Sequence, residues 1–364
     1  MEIKPIATWY AGFDNNPLMI AGPCSAESDE QVISIASYLA GTGRINLFRA
    51  GVWKPRTHPG TYTGAGIKAL KWLQRIKTEY GLRVTVEVAS PKHIEACLKY
   101  GIETIWIGAR TASNPFSMDE ISHALKGVDI PVLIKNPLSP DIDLWIGAIE
   151  RIYSAGIKKI AAIHRGFSPF EKTLLRNMPQ WDIPIELRRR YVNLPVLCDP
   201  SHIAGRSDLV PGIAQKAMDL NMSGLMIEVH ENPTHALTDA AQQLNFEEFN
   251  NLLAGLIIRK PTTDNMAFLN RIEALRHQID AIDYQLLELI ASRMDISRKI
   301  GECKRNNNIT ILQMERWLEI LRKRTVYGTK LGLAPSFIKQ IMLFLHQESI
   351  CRQTEIMNNI RTNG

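Results

Sequence analysis

Across the first 255 residues or so, short runs rich in Val and Ile recur eight times, and longer stretches with helical spacing of apolar residues separate them. The runs are Leu18–Ala21, Ile45–Arg49, Val84–Val88, Thr104–Ile107, Val132–Lys135, Ile160–Ile163, Val196–Cys198 and Gly224–Val229. Strand-type runs alternating with amphipathic stretches predict βα units and a parallel sheet. Eight units in about 250 residues fit a (β/α)8 barrel. A doubly wound sheet has the same local pattern, so closure is not readable at this level.

The pattern stops at Gly255–Asn265, where Arg259, Lys260, Pro261, two threonines and Asp264 interrupt the apolar runs. This predicts a barrel over residues 1–255, a linker over 256–265 and a second domain over 266–364. From Met266, the residues Leu269, Ile272, Leu275, Ile279, Ile282, Leu286, Leu289 and Ile290 follow steps of three and four, the spacing of an amphipathic helix. If it runs to about Lys304, the helix is roughly 55–60 Å long at 1.5 Å per residue. The Asn306, Asn307, Asn308 run breaks it. A second helix is expected from about Leu312 to Val326 and a third from about Pro335 onward. Three helices of these proportions bury little as a monomer, which predicts a helical homodimer.

Composition narrows the class of function. Hydrophobic residues make up 45% and charged residues 22%, an ordinary globular balance in a chain of 364 residues, long enough for about two domains. No run of eighteen apolar residues occurs, so no membrane span is expected. Glu2, Lys4 and Asp14 interrupt Met1–Asn16, which therefore lacks the apolar core of a signal peptide; a cytoplasmic location is the expectation. The five cysteines, Cys24, Cys97, Cys198, Cys303 and Cys351, are odd in number, widely spaced and without a C-x-x-C pair. That argues against a disulfide framework or a zinc knuckle, so a functional cysteine must act singly. The net charge of +6 is too mild and dispersed to signal a nucleic-acid partner. From Pro261 onward there are 15 Lys+Arg against 11 Asp+Glu, so the smaller domain carries most of the excess.

Barrel active sites sit where the strands end, so the residues just after each run are the place to look for chemistry. Two subsets stand out there. Cys24, His202, Glu228 and Asp239 offer one thiolate, one imidazole and two carboxylates, a set suited to Mn²⁺, Fe²⁺, Co²⁺ or Zn²⁺ with an open position. Singly, Cys24 reads as a small buried hydrophobe and His202 as a satisfied loop histidine; their shared position at strand ends favours the metal. The second subset is Arg49, Lys54, Arg56, Arg110, Lys135 and Arg165. Any one of these is ordinary as a surface cation. Six converging on one mouth would repel each other unless the ligand is polyanionic, which points to phosphorylated and carboxylated small molecules.

Apart from Glu228 and Asp239, these residues lie in Ala21-Gly22-Pro23-Cys24-Ser25, in Arg49 followed by Lys54-Pro55-Arg56-Thr57, and in Gly108-Ala109-Arg110, Lys135-Asn136-Pro137, His164-Arg165-Gly166-Phe167 and Asp199-Pro200-Ser201-His202. In that order, over residues 1 to about 255, the motifs resemble 3-deoxy-D-arabino-heptulosonate 7-phosphate (DAHP) synthase of the short, type Iβ kind. The resemblance implies a closed barrel and a metal-dependent aldol-type condensation of phosphoenolpyruvate with erythrose 4-phosphate, the first step toward the aromatic amino acids. It implies that Cys24, His202, Glu228 and Asp239 hold the metal. Arg49, Lys54, Arg110, Lys135 and Arg165 would clamp phosphoenolpyruvate, with Arg49, Lys54 and Lys135 catalytic, while Arg56 and Thr57 would take the phosphate of erythrose 4-phosphate. A relative that makes an eight-carbon sugar acid phosphate shares the barrel; the Lys-Pro-Arg-Thr element favours the four-carbon acceptor.

In the second domain, Arg276 and Arg293 are 17 residues apart, about 25 Å along a helix, too far for one metabolite to bridge. Arg293 and Lys304 are three turns apart on one face. Arg316 lies in the second helix, and Ser349 and Gln353 form an i, i+4 pair in the third. Residues 266 to about 356 resemble the all-helical AroQ-class chorismate mutase, an intertwined dimer of three-helix chains that converts chorismate to prephenate without a cofactor. By that resemblance Arg293, Lys304, Arg316, Ser349 and Gln353 line one pocket, with Arg293, Lys304 and Gln353 catalytic, and Arg276 reaches into the partner's pocket. Two positions depart from the family pattern. Trp317 stands where a glutamate commonly contacts the substrate hydroxyl, and Gln313 where an aspartate is often found. The resulting expectation is a bifunctional shikimate-pathway enzyme. The alternative is a DAHP synthase whose helical domain serves mainly for dimerisation and for sensing chorismate or prephenate as a feedback ligand.

Overall fold

A computed structural model describes residues 1–10, 17–54, 60–171 and 173–358. They divide into two compact units, Met1–Pro261 and Thr262–Gly364. In the first unit eight parallel strands close into a barrel in sequence order: β1 Leu18–Gly22, β2 Leu47–Ala50, β3 Arg83–Val88, β4 Thr104–Ile107, β5 Val132–Lys135, β6 Ile160–His164, β7 Val196–Cys198 and β8 Gly224–Glu228. Closure comes from β1 pairing with β8, Leu18 opposite Gly224 through Gly22 opposite Glu228.

Strands in such a barrel are buried on both faces, which is why they read as continuous apolar runs. Leu18, Ile20, Leu47, Trp106, Leu133, Ala161, Ile163, Leu197 and Met226 form an inner core, joined by Ile6 and Trp9 beside the short 3-10 turn Ile6–Thr8. Intervening strand residues such as Met19, Phe48, Val84, Val86 and Ile134 join the larger core with the surrounding helices. The first of these helices, Asp29–Gly41, is capped by Ser28, whose side chain accepts from the Gln31 N–H, and buries Val32, Ile35, Ala36 and Leu39.

Several strand limits differ from expectation by one or two residues: β1, β3 and β6 each gain one, at Gly22, Arg83 and His164, β2 gains Ala50, and two other limits fall short. The second strand begins at Leu47 rather than Ile45, because Asn46 turns its side-chain oxygen onto the Met19 N–H at 2.7 Å at the entrance to the ladder. The eighth ends at Glu228 because Val229 forms a separate bridge with Leu244.

The second unit is three helices, Met266–Asn306, Met314–Lys330 and Pro335–Asn358. Asn265 caps the first, accepting from the Phe268 N–H, and Asn308 in the left-handed region follows its end. The third helix packs on the C-terminal half of the first, where a side chain at Gly301 would press on Gln353 at 3.1 Å. Along the N-terminal half, Leu275, Ile279, Ile282, Leu286 and Leu289 are exposed within the single chain.

Candidate active sites

The barrel chemistry gathers at the C-terminal ends of the strands. Gly22 ends β1 at φ +149°, and a Cβ there would lie 2.2 Å from the Arg49 carbonyl oxygen, so a glycine is needed for this close approach to β2. Just beyond it, Cys24 is fully buried and donates its backbone N–H to Gln243 Oε1 at 2.9 Å. Its Sγ lies 3.5 Å from Asp239 Oδ2 and 3.0 Å from Lys54 Nζ. Ligand atoms of Cys24, Glu228 and Asp239 all lie within 4.8 Å of one another.

His202 stands beside this cluster, its Nε2 3.9 Å from Glu228 Oε1 and 4.0 Å from Asp239 Oδ2. Asp199 fixes that orientation. Its Oδ1 accepts from the His202 backbone N–H at 3.1 Å, while its Oδ2 lies 2.8 Å from His202 Nδ1 and 2.7 Å from Lys135 Nζ. The free ring nitrogen is thereby turned toward the carboxylates, the arrangement that a metal-binding histidine needs. Asp239 itself holds a left-handed backbone at φ 47°, a conformation costly for a residue other than glycine and often retained where function requires it.

Opposing charges keep the carboxylates ionised despite burial. Burial alone would push Asp199 up, but His202 and Lys135 outweigh it and hold the carboxyl well below its usual range. Glu228 is likewise lowered, burial being overcome by His202 and Arg49. Burial and the nearby Glu228 push the Cys24 thiol up to about 12, so a metal would bind there with release of a proton. Glu228 Oε1 is buried and has no hydrogen bond among the described residues, though Arg49 Nη2 is 2.9 Å away. One sulfur, one imidazole and two carboxylates with an unsatisfied oxygen among them fit a borderline divalent cation.

A cavity of about 460 Å³ opens beside the cluster, lined by Lys54, Arg110, Lys135, Arg165 and Arg176, with His202 and Asp239 on its wall. Arg165 is placed by Asn177, whose Oδ1 accepts from Nη1 at 2.8 Å, and burial lowers its pKa to about 10, still charged near neutrality. Arg49 is almost fully buried over the Trp106 ring and paired with Glu228, outside the cavity lining. Its Nε and Nη1 are buried without a hydrogen-bond partner among the described residues. The expectation of six mutually repelling cations is therefore corrected. Glu228 and Asp199 neutralise Arg49 and Lys135 within the chain, and only part of the positive charge is left for a ligand. Arg56 and Thr57 lie outside the described residues. Sequence reasoning missed Arg176, Asn177 and Gln242. None follows a strand end, and the antiparallel bridge between Phe167 and Met178 is what folds Arg176 and Asn177 back to the mouth.

The helical unit assembles part of a second site. Arg293 Nη1 donates to Ser349 Oγ at 2.6 Å and to the Leu345 carbonyl at 3.1 Å, and Gln353 Nε2 donates to Ser297 Oγ at 3.1 Å. Lys304 turns to the Ile311 carbonyl at 2.5 Å. Arg316 and Arg276 are exposed, pairing with Glu319 and Glu273 on their own helices. Trp317 stacks on His346, ring centroids 3.9 Å apart and nearly parallel. Gln313 precedes the second helix and makes no side-chain capping bond.

Residues 1–259 match the DAHP synthetase I family, and residues 275–354 match chorismate mutase type II. Among curated proteins, the chain is 34% identical over 235 residues to a phospho-2-dehydro-3-deoxyheptonate aldolase of Thermotoga maritima, covering 65% of this chain and 67% of that protein. It is 25% identical over 280 residues to a 2-dehydro-3-deoxyphosphooctonate aldolase of Legionella pneumophila, covering 70% and 97%. Among solved structures, the DAHP synthase of Thermotoga maritima superposes with a TM-score of 0.60 at 34% identity over 66% of this chain and 68% of that one. A truncated form of 3-deoxy-D-arabino-heptulosonate 7-phosphate synthase from the same organism gives 0.57 at 32% identity over 66% and 85%.

Proposed function

The chain belongs to the DAHP synthetase I family and carries a chorismate mutase type II domain behind the barrel, and from that premise we propose that the barrel condenses phosphoenolpyruvate with erythrose 4-phosphate on a divalent metal. The observation that carries this reading is the cluster of Cys24, Glu228 and Asp239, with His202 beside it, on the wall of a cation-lined cavity.

Cys24, His202, Glu228 and Asp239 would hold the ion. When bound, it supplies Lewis-acid polarisation of the aldehyde oxygen. Lys54, Arg110, Lys135 and Arg165 grip the phosphate and carboxylate of phosphoenolpyruvate, with Arg49 behind them, and Arg56 and Thr57 take the phosphate of the sugar. The clamp holds the enol methylene carbon against the aldehyde carbon, so that orientation rather than covalent catalysis lowers the barrier. A carbon–carbon bond forms between those atoms, water adds at the former enol carbon and phosphate leaves. A Schiff base does not suit either lysine. Lys135 is tied to Asp199, and Lys54 stays an ammonium, the nearby carboxylates of Glu87 and Glu228 opposing its burial.

In the helical unit, Arg293, Arg316 and Arg276 of the partner subunit would fix the two carboxylates of chorismate. Lys304 and Gln353 would hydrogen-bond the ether oxygen where negative charge develops, and Ser349 completes the pocket. The exposed Ile279, Ile282 and Leu289 support a homodimer through the long helix. Trp317, in place of an acidic side chain and stacked on His346, favours the second reading for this unit, a dimerisation and sensing module that binds chorismate or prephenate and throttles the barrel. Among the described residues no helix is long and apolar enough to cross a membrane; a cytoplasmic location is part of the proposal.

The test is phosphate release from phosphoenolpyruvate and erythrose 4-phosphate, with and without chelator and with prephenate added. The metal reading expects turnover that chelation stops; turnover indifferent to chelation refutes it.

A further inference from the structure

The two carboxylates of the metal cluster divide their oxygens in the same way. Asp239 turns Oδ2 toward Cys24 Sγ and His202 Nε2, at 3.5 and 4.0 Å, and gives Oδ1 to Arg176 Nη1 at 3.1 Å. Glu228 turns Oε1 toward His202 Nε2, at 3.9 Å, and accepts on Oε2 from Gln242 Nε2 at 2.7 Å. The amide and the guanidinium are joined to each other, Arg176 Nη1 donating to Gln242 Oε1 at 2.5 Å. One polar brace thus holds the outward oxygen of both carboxylates, while Asp239 Oδ2 and Glu228 Oε1 face the cluster, Glu228 Oε1 also lying 2.9 Å from Arg49 Nη2.

Its parts are seated with little slack. Gln242 is buried in the short 3-10 turn Ala240–Gln242, which directly follows the strained Asp239. Arg176 is pressed against Gly205, where a Cβ would come within 2.4 Å of the arginine Cβ. Gly205 closes the helix carrying His202, so any larger residue there would push the arginine off its seat.

We propose that Arg176 and Gln242 are positioning residues for the metal site, acting as one unit that aims Asp239 and Glu228 at the ion. The inference rests on the metal reading above and adds residues outside the proposed ligand set. Simple Coulomb reasoning predicts the opposite sign, because a guanidinium beside a cation site repels the cation and its removal should tighten binding. The brace instead makes orientation the larger effect. Outer partners of metal ligands typically contribute 10–100-fold in affinity.

Cobalt(II) alone is the probe, titrated into the metal-stripped full chain and read by its visible absorption. Arg176→Ala and Gln242→Ala should each bind Co²⁺ about 10–100-fold more weakly, with altered band intensities. The double variant should lose little more than the worse single one, as parts of one unit do. Arg176→Lys, which keeps the charge but not the Nη1 placement that reaches both Asp239 and Gln242, should fall between wild type and Arg176→Ala. Arg176 is partly exposed, so its substitutions test the brace without emptying a core position. Unchanged or tighter Co²⁺ binding in Arg176→Ala, or fully additive losses, would overturn the proposal. If the wild-type chain itself fails to bind Co²⁺, the metal reading falls first and the brace with it, a result distinct from a brace that proves idle.

Discussion

The barrel gathers candidate ligands from several strand ends of one chain, whereas in the helical unit Arg293, Ser349 and Gln353 come together while Arg276 and Arg316 stay exposed. At the barrel mouth Cys24 and Glu228 are buried and His202 and Asp239 half-buried, and neighbours within the chain orient them, as with Asp199 holding both His202 and Lys135. On the long helix Arg276 is exposed beside Glu273, and Leu275, Ile279, Ile282, Leu286 and Leu289 are exposed too. The difference follows from shape. A closed sheet brings eight strand ends to one rim, while three helices offer a stripe that the proposed second copy would turn into an interior.

The largest effects should come from separating the two chemistries. Glu228→Ala should drop the condensation to background and leave mutase turnover intact. Lys304→Ala should lower mutase kcat on the order of 10²–10³-fold, as losing a donor to a developing charge does, and leave the condensation intact. Parallel assays of both variants decide this, and loss of both activities in either one would break the division.

Stability should show the same contrast. Ile149→Ala, in the barrel core, should cost about 2–5 kcal/mol at any protein concentration. Leu286→Ala, exposed in the single chain, should stay within about 0.5 kcal/mol in dilute solution and become costly only where dimers form. Denaturant melts of each variant at two protein concentrations separate the cases; a concentration-independent loss at Leu286 would contradict the unpartnered face.

The smallest expected effect concerns the shared pocket. Ile282→Asp should give monomers by sedimentation and lower mutase kcat/KM by about 10–150-fold, one charge-assisted contact at about 1.5–3 kcal/mol, because Arg276 would no longer arrive from the partner. Full mutase turnover in a monomer would remove that role from Arg276.

Much of the barrel was legible because its signal is local. Val and Ile runs mark strands buried on both faces, and polar residues just past them mark the rim, which is how Cys24, Lys135, His202 and Glu228 could be named from spacing. Closure was not legible, since the pairing of Leu18 with Gly224 joins residues about two hundred positions apart and leaves no local trace. Arg176 escaped for a related reason. It lies in the loop after β6, eleven residues past Arg165, and only the bridge of Phe167 with Met178 returns it to the mouth. The counter-charges were misjudged because a census of cations does not show that Glu228 and Asp199 lie within 3 Å of Arg49 and Lys135.

X-ray absorption at the cobalt edge of the Co²⁺-loaded chain addresses the central claim most directly. One sulfur scatterer at roughly 2.3 Å, with nitrogen and oxygen completing the shell, is predicted for the wild type, and its loss for Cys24→Ser. A shell of nitrogen and oxygen alone, identical in the two proteins, would contradict the account.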